Sequence, residues 1–255
     1  MLFEWYWFPI FYLIVLHLRW GLFTIYVHRG LCHGSIEFSK PLCTFIRCWL
    51  WTCGWFWSGW RRNFFLIHTY HHLNSDCETD PHDPRRFTLK DLTHVYDVKP
   101  GMAYYVSPEH ELKYPNIQNF DDALERFFNR YPRSGQWILH IVCLMLYGPL
   151  AFLIGAPLYW AWQKYGTVFV GIVMTHGVGT CKWIDYKSSY ATDKLNRSAV
   201  NYFPIGILQA GEEFHSNHHC RPGSAKFSQR WWELDMGYVY ALMFEKLGLL
   251  KIKKR

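Results

Sequence analysis

The 255-residue chain has no C-x-x-C pair, no low-complexity tract and no linker that would divide it. Its eight cysteines (32, 43, 48, 53, 77, 143, 181 and 220) suggest no disulfide frame. They read as reduced, which favours an active site facing the cytosol. Without a linker, residues 1–255 read as a single domain. Acidic residues are also in short supply, 20 against 27 Lys and Arg, a net charge of +7. That balance fits an anionic membrane surface. It does not argue for nucleic acid, because the basic residues alternate with apolar stretches. No small-residue cleavage site follows the first apolar stretch, so it reads as an anchor and not as a removed signal peptide. Beyond one duplicated histidine motif there is no internal repeat.

What the chain has in quantity is aromatic and apolar surface. Half its residues are hydrophobic, with 14 Trp, 17 Tyr and 19 Phe. The mean hydropathy of −0.11 understates this, since Trp and Tyr score poorly yet are enriched at membrane interfaces. Residues 5–27 are long enough to cross a bilayer. Residues 137–162 and 166–180 read as a hairpin of two spans turning near Gly155, Pro157 and Gly166. The stretch 231–250 suits an interfacial amphipathic helix. Residues 41–60 decide the topology. A crossing there would place histidines before and after it on opposite sides, about 30 Å apart, so they read as interfacial or re-entrant. Arg29, Lys40, Arg61, Arg62, Arg85, Arg86 and the tail Lys251–Arg255 then share one side with the histidines, against Lys164 alone in the far loop. The positive-inside rule assigns that side to the cytoplasm. The proline-punctuated region 73–135 reads as a cap of loops and short helices, with Asp121–Arg130 its best helix. The expected fold is therefore all-α: a polytopic membrane protein with about three transmembrane helices, interfacial helices and a histidine-rich cytoplasmic cap.

Eight of the fourteen histidines fall in three clusters: His28 and His33; His68, His71 and His72; His215, His218 and His219. The last two share the spacing H-x-x-H-H, and positions i, i+3 and i+4 lie on one helix face, so each can aim three imidazoles at one point. Imidazole is a good ligand for iron, copper, zinc and nickel. Eight exceed the four that close a tetrahedral zinc, which favours two ions. In H-x-x-x-x-H the rings stand about 140° apart on an ideal helix, so convergence needs local unwinding that Gly30 permits. Glu212, Glu213, Asp76, Asp80 and Asp83 are candidate acceptors for orienting the rings. His17 and His140 fit no cluster, and His82, His94 and His110 read as solvated loop residues. Glu212 and His215 form one E-x-x-H, but carboxylate di-iron bundles need two.

H-R-G-L-C-H (28–33), H-T-Y-H-H (68–72) and G-E-E-F-H-S-N-H-H (211–219) resemble the three histidine boxes of membrane fatty acyl desaturases, nearest the acyl-CoA and acyl-lipid Δ9 branch. The likeness runs over nearly the whole chain, through FIRCWLWTCGWFWSGWRRNFFLIH and the C-terminal SAKFSQRWWELDMGYVYALMFEKLGLLKIKK. It implies two non-haem iron ions held almost entirely by histidine. It also implies O₂ as co-substrate and a fatty acyl substrate carried by CoA, a carrier protein or a lipid. With no fused electron-transfer domain visible, a ferredoxin or small b-type cytochrome is the expected donor. One departure stands out. The family places N-x-x-x-H late in the last span; the matching stretch is Thr175–Thr180, with His176 in the asparagine position and Thr180 in the histidine position. The expected ligands are His28, His33, His68, His71, His72, His215, His218 and His219, with His176 as a displaced ninth. A di-iron hydroxylase or acetylenase shares the scaffold, and a non-catalytic metal-binding membrane protein is the alternative of another class. The Trp and Phe residues near 49–65 are candidates to line an acyl slot.

Overall fold

The first apolar stretch folds as one helical rod. A short turn, Trp5–Trp7, leads into α1 (Phe8–Phe23), with Pro9 in the first turn where its missing N–H costs nothing. The rod continues as a π-helix over Thr24–Cys32, and the His33 N–H closes onto the His28 carbonyl at 3.2 Å. In a π-helix residues five apart are bonded along the axis, so widening the turn brings the two box-one histidines together. Gly30 contributes by close approach and not by a left-handed backbone. A Cβ there would meet the Phe38 ring at 2.6 Å and the Ile25 carbonyl at 3.0 Å. Gly30→Ala is accordingly expected to destabilise the protein by about 1–3 kcal/mol through overpacking. A thermal melt of the detergent-solubilised protein checks this; Phe38→Leu should restore part of the loss, and no recovery would place the strain elsewhere.

The computed structural model describes residues 2–54, 60–95, 113, 122–178, 185–192, 198–203 and 205–255, with only the backbone of Trp60 and Arg61. His110, Asp121, Gly179 and Thr180, named above, lie outside the described residues. Among the described helices, Trp5–Cys32 alone, 28 residues long, is long and apolar enough to cross a membrane. After β1 (Ile36–Phe38), Ser39 caps α2 (Lys40–Thr52) by accepting from the Leu42 N–H. Its 13 residues reach about 20 Å, short of the roughly 30 Å hydrocarbon core. Next come α3 (Trp60–Asn74), which carries box two, and the single turn α4 (Leu89–Leu92), closed by a Thr88–Asp91 capping box. Helix α5 (Ala123–Arg130) is capped by Asp122. Arg47 of α2 binds Asp122 at 2.6 Å and Glu125 at 3.2 Å, pinning α5 to α2.

Helix α6 (Ser134–Tyr147) and α7 (Pro149–Ala161) form the hairpin, but its turn is not where the glycines and proline suggested. It falls at Gly148, with φ 85°. Gly155, Pro157 and Gly166 lie inside the second arm, where Gly155 admits the Tyr12 ring. That arm continues through π turns at Trp162–Gly166 and Phe169–Val173 to a 3-10 turn at Met174–His176. The last third holds β2 (Ile205–Gly206), α8 (His215–Cys220), β3 (Leu234–Asp235), α9 (Met236–Lys246) and β4 (Leu250–Ile252). Residues 231–250 are thus not one helix. Only α9 is helical, and its Tyr240 ring packs on Gly21 and bonds His17. β4 pairs antiparallel with β1, Ile36 opposite Ile252 and Phe38 opposite Leu250, so the basic tail returns to box one. β2 and β3 form a parallel pair. Among the described residues these two ribbons, with isolated bridges from Asn201 to Tyr186 and Phe214, depart from an all-α chain.

Candidate metal centre

Nine histidines gather where the π-segment Thr24–Cys32, α3, the turn Met174–His176 and α8 meet, and they sort into two groups. In one, the ring nitrogens of His28, His33, His68, His72 and His218 all lie within 4.8 Å of each other; in the other, those of His71, His176, His215 and His219 do. The H-x-x-H-H motifs therefore do not each aim at one point. Box two gives its i, i+4 pair (His68, His72) to the first group and His71 to the second. Box three does the reverse, giving His215 and His219 to the second and His218 to the first. The groups touch, with the His72 and His219 rings stacked at 4.5 Å.

The nitrogens that face each other are all Nε2. In the first group the pairs are His28–His218 at 2.9 Å, His33–His68 at 2.9 Å, His68–His72 at 3.1 Å and His72–His218 at 2.9 Å. In the second they are His71–His219 at 3.2 Å, His176–His215 at 3.3 Å and His215–His219 at 3.0 Å. Mutual hydrogen bonds cannot satisfy such a ring of acceptors. On the far side, His28 Nδ1 meets Glu212 at 2.8 Å and His71 Nδ1 meets Asp80 at 2.9 Å. A proton held there leaves Nε2 as a bare lone pair in the neutral ring. Two nitrogens each about 2.1 Å from one metal and at right angles sit about 3.0 Å apart, which is the spacing found. The donor set fits a pair of metal ions.

Burial suits these rings to that task. His68, His71, His72, His215, His218 and His219 are held well below the usual histidine range by desolvation, reinforced by neighbouring imidazoles. They stay neutral, as ligation requires. Burial raises the Glu212 carboxyl, but His28, Arg29 and Thr24 outweigh it and hold the group below the usual range. Asp80 is pushed up to about 7, chiefly by burial; a cation at His71 Nε2 would draw it back to carboxylate.

His176, the expected displaced ninth, joins the second group: its Nε2 reaches His215, and its Nδ1 meets Ser198 Oγ at 2.8 Å. Other expectations change. Of the five candidate acceptors, Glu212 and Asp80 face rings. Glu213 instead accepts the Gln209 and Gly211 N–H groups, and Asp76 and Asp83 pair with Arg85. Arg29, counted above with the basic face, is fully buried on Asp235. His82 is not solvated: it is 4 % exposed, with its ring 3.9 Å from His71. Sequence reasoning missed Ser198, Asn201 and Glu233. The last two hold box three through Asn217, at 2.9 Å each, and a polar residue between two histidines carries no mark of its buried partner. The seven described cysteines are free.

A narrow apolar cavity opens onto both groups, walled by Trp20, Phe23, Phe64, Val168, Gly171 and Ile172 and ending on His28, His68, His71, His176 and His215. From the aromatic run near 49–65, the described wall uses only Phe64; the rest comes from the two long helices. An apolar cavity ending on two groups of buried histidines defines a class of mostly helical, metal-binding protein with an apolar site. Comparison with known proteins agrees. The fatty acid desaturase family model matches residues 4–248, and the chain belongs to that family. It is similar to the sn-1 stearoyl-lipid 9-desaturase of Anabaena variabilis, 27% identical over 236 residues covering 89% of this chain and 76% of that one. Delta-9 acyl-lipid desaturase 2 of Arabidopsis thaliana is 26% identical over 240 residues, covering 89% and 68%.

Proposed function

We propose that residues 1–255 act as one membrane domain that introduces a double bond into a fatty acyl chain, using O₂ and two externally supplied electrons. The observation that carries this reading is the apolar slot ending on two groups of inward-facing Nε2 atoms. His28, His33, His68, His72 and His218 would hold one iron and His71, His176, His215 and His219 the other; bound there, the pair would supply the oxidant that an unactivated C–H bond demands.

The chain's own part is positioning and exclusion. Trp20, Phe23, Phe64 and Ile172 give the cavity an apolar wall that suits a hydrocarbon chain. Glu212 and Asp80 fix the rotation and tautomer of His28 and His71. Glu212→Gln and Asp80→Asn are each expected to weaken iron binding about 10- to 100-fold, measured by competition against a graded chelator. Unchanged affinity in both would remove these carboxylates from any role at the metal.

Membrane placement follows the same reading. Leu13, Ile14, Met145, Leu153 and Leu158 point outward from α1, α6 and α7 and are each more than half exposed, as lipid-facing side chains are. Boxes one and two converge, so the chain between them returns to the side it left. Three spans with the centre towards the cytoplasm satisfy both, in a bacterial inner membrane or the endoplasmic reticulum. A stearoyl-lipid or related Δ9 substrate is the specific expectation, by likeness to the relatives. A ferredoxin or small b-type cytochrome is the donor this reading needs.

The test is fatty-acid profiling by mass spectrometry of a host expressing the chain beside His71→Ala. A new species two hydrogens lighter, absent from the variant, supports desaturation. Gain of one oxygen or loss of four hydrogens would replace it with hydroxylation or acetylene formation on the same scaffold.

A further inference from the structure

The two histidine groups are unequal, five against four. At a spacing near 3 Å, four nitrogens leave open positions around an ion that accepts octahedral geometry. The cavity shows on which side they are open. His71, His176 and His215 of the four-membered group line it, and the same wall holds a tenth histidine, His82. Its ring centroid lies 3.9 Å from that of His71, at 70°, and 6.3 Å from that of His176. Its backbone N–H donates to Asp80 Oδ1 at 3.1 Å, the oxygen that also meets His71 Nδ1 at 2.9 Å. One carboxylate oxygen thus sets both the ligand ring and its neighbour. The surrounding wall is apolar, with Phe64, Val168, Gly171 and Ile172. A histidine kept 4 % exposed in such a wall, on a loop that could have turned it to water, calls for a reason.

His82 does not belong to the four-histidine group, though its ring nitrogen lies within 4.8 Å of a His71 nitrogen and an Asp80 carboxylate oxygen. It is not a fifth member of that group, although it lines the same cavity. A ring beside the ligands but outside their set is placed to bond to a bound ligand rather than to the metal. A small molecule about 2.1 Å from an ion, with a hydrogen bond of about 2.8 Å beyond it, finds its partner outside the set of ligands. We propose that His82 is a positioning residue for the four-histidine centre, donating a hydrogen bond to a small exogenous ligand, of dioxygen or azide size, held at its open position. The inference rests on the metal reading above.

Inorganic azide is the probe. Iron-loaded full-length protein, its His82→Phe and its His82→Gln variants are titrated with sodium azide, following the visible charge-transfer band, and iron is counted in each. Two irons are expected in all three. Azide should bind about tenfold or more weakly to His82→Phe, the loss of a hydrogen bond to a charged partner, and recover towards wild type in His82→Gln. Unchanged azide affinity in His82→Phe with both irons present overturns the proposal, as does a His82→Gln protein no better than His82→Phe. Loss of iron from both variants also overturns it, by making His82 a ligand or a structural residue. Wild-type protein that takes up no iron overturns the metal reading and this inference together, and the iron count tells the two failures apart.

Discussion

Alanine at His219 and alanine at His33 are expected to abolish product equally while failing differently at the metal. His219 is one of four nitrogens in its group and His33 one of five. Removing the first leaves three ligands, too few for a closed site, so iron should fall from two towards one per chain. Removing the second leaves four, and both irons should stay. On the proposed function turnover needs both ions, each in its full set of ligands, so each variant should lose roughly 10³-fold or more, as for residues that act as one unit. Iron counting and fatty-acid profiling of the same preparations check both halves. Equal iron loss would show that the groups bind as one cluster, and retained activity in either would remove that histidine from the centre. The same pair of measurements on His176→Ala reports whether His176 belongs with the four.

All eight box histidines were legible from spacing, because a metal demands donors of one kind at repeated intervals and such intervals are rare by chance. Their division was not. The i, i+3, i+4 rule shows which residues share a helix face, but His71 meets His176 and His219 while His72 meets His33 and His218. The box-one spacing looked unfavourable on an α-helix, and the π-turn at Thr24–Cys32 resolved it; no residue in HRGLCH announces that turn. The hairpin was foreseen and its corner was not, since Gly155 and Gly166 are small for packing against Tyr12 and Trp162 rather than for turning. His82 was misjudged for a related reason. A loop between prolines suggests solvent, and burial there depends on Asp80 folding the loop back onto His71, a tertiary fact.

The second large effect concerns stability and sits beside box one. Arg29 is fully buried in the π-segment next to His28. Its guanidinium grips Asp235 at 2.9 and 3.0 Å, donates to the carbonyls of Ala225 at 2.7 Å and Ala210 at 3.2 Å, and lies on the Phe227 ring at 3.8 Å. Asp235 in turn accepts the Phe227 and Tyr238 N–H groups and so caps α9. One pair thus ties the first helix to the whole C-terminal third. Arg29→Met should cost about 3–5 kcal/mol, because a buried carboxylate is left without its cation. That is a large share of the roughly 5–15 kcal/mol typical of a folded domain, so the melting point in detergent should drop sharply. Adding Asp235→Asn removes the stranded charge but keeps an acceptor for the two N–H groups, and should recover part of the loss. If the double variant melts no higher than Arg29→Met, the cost lies in the lost carbonyl contacts and not in the unpaired charge. Either way, iron content should fall with folding in the single variant, since His28 rides on the same turn.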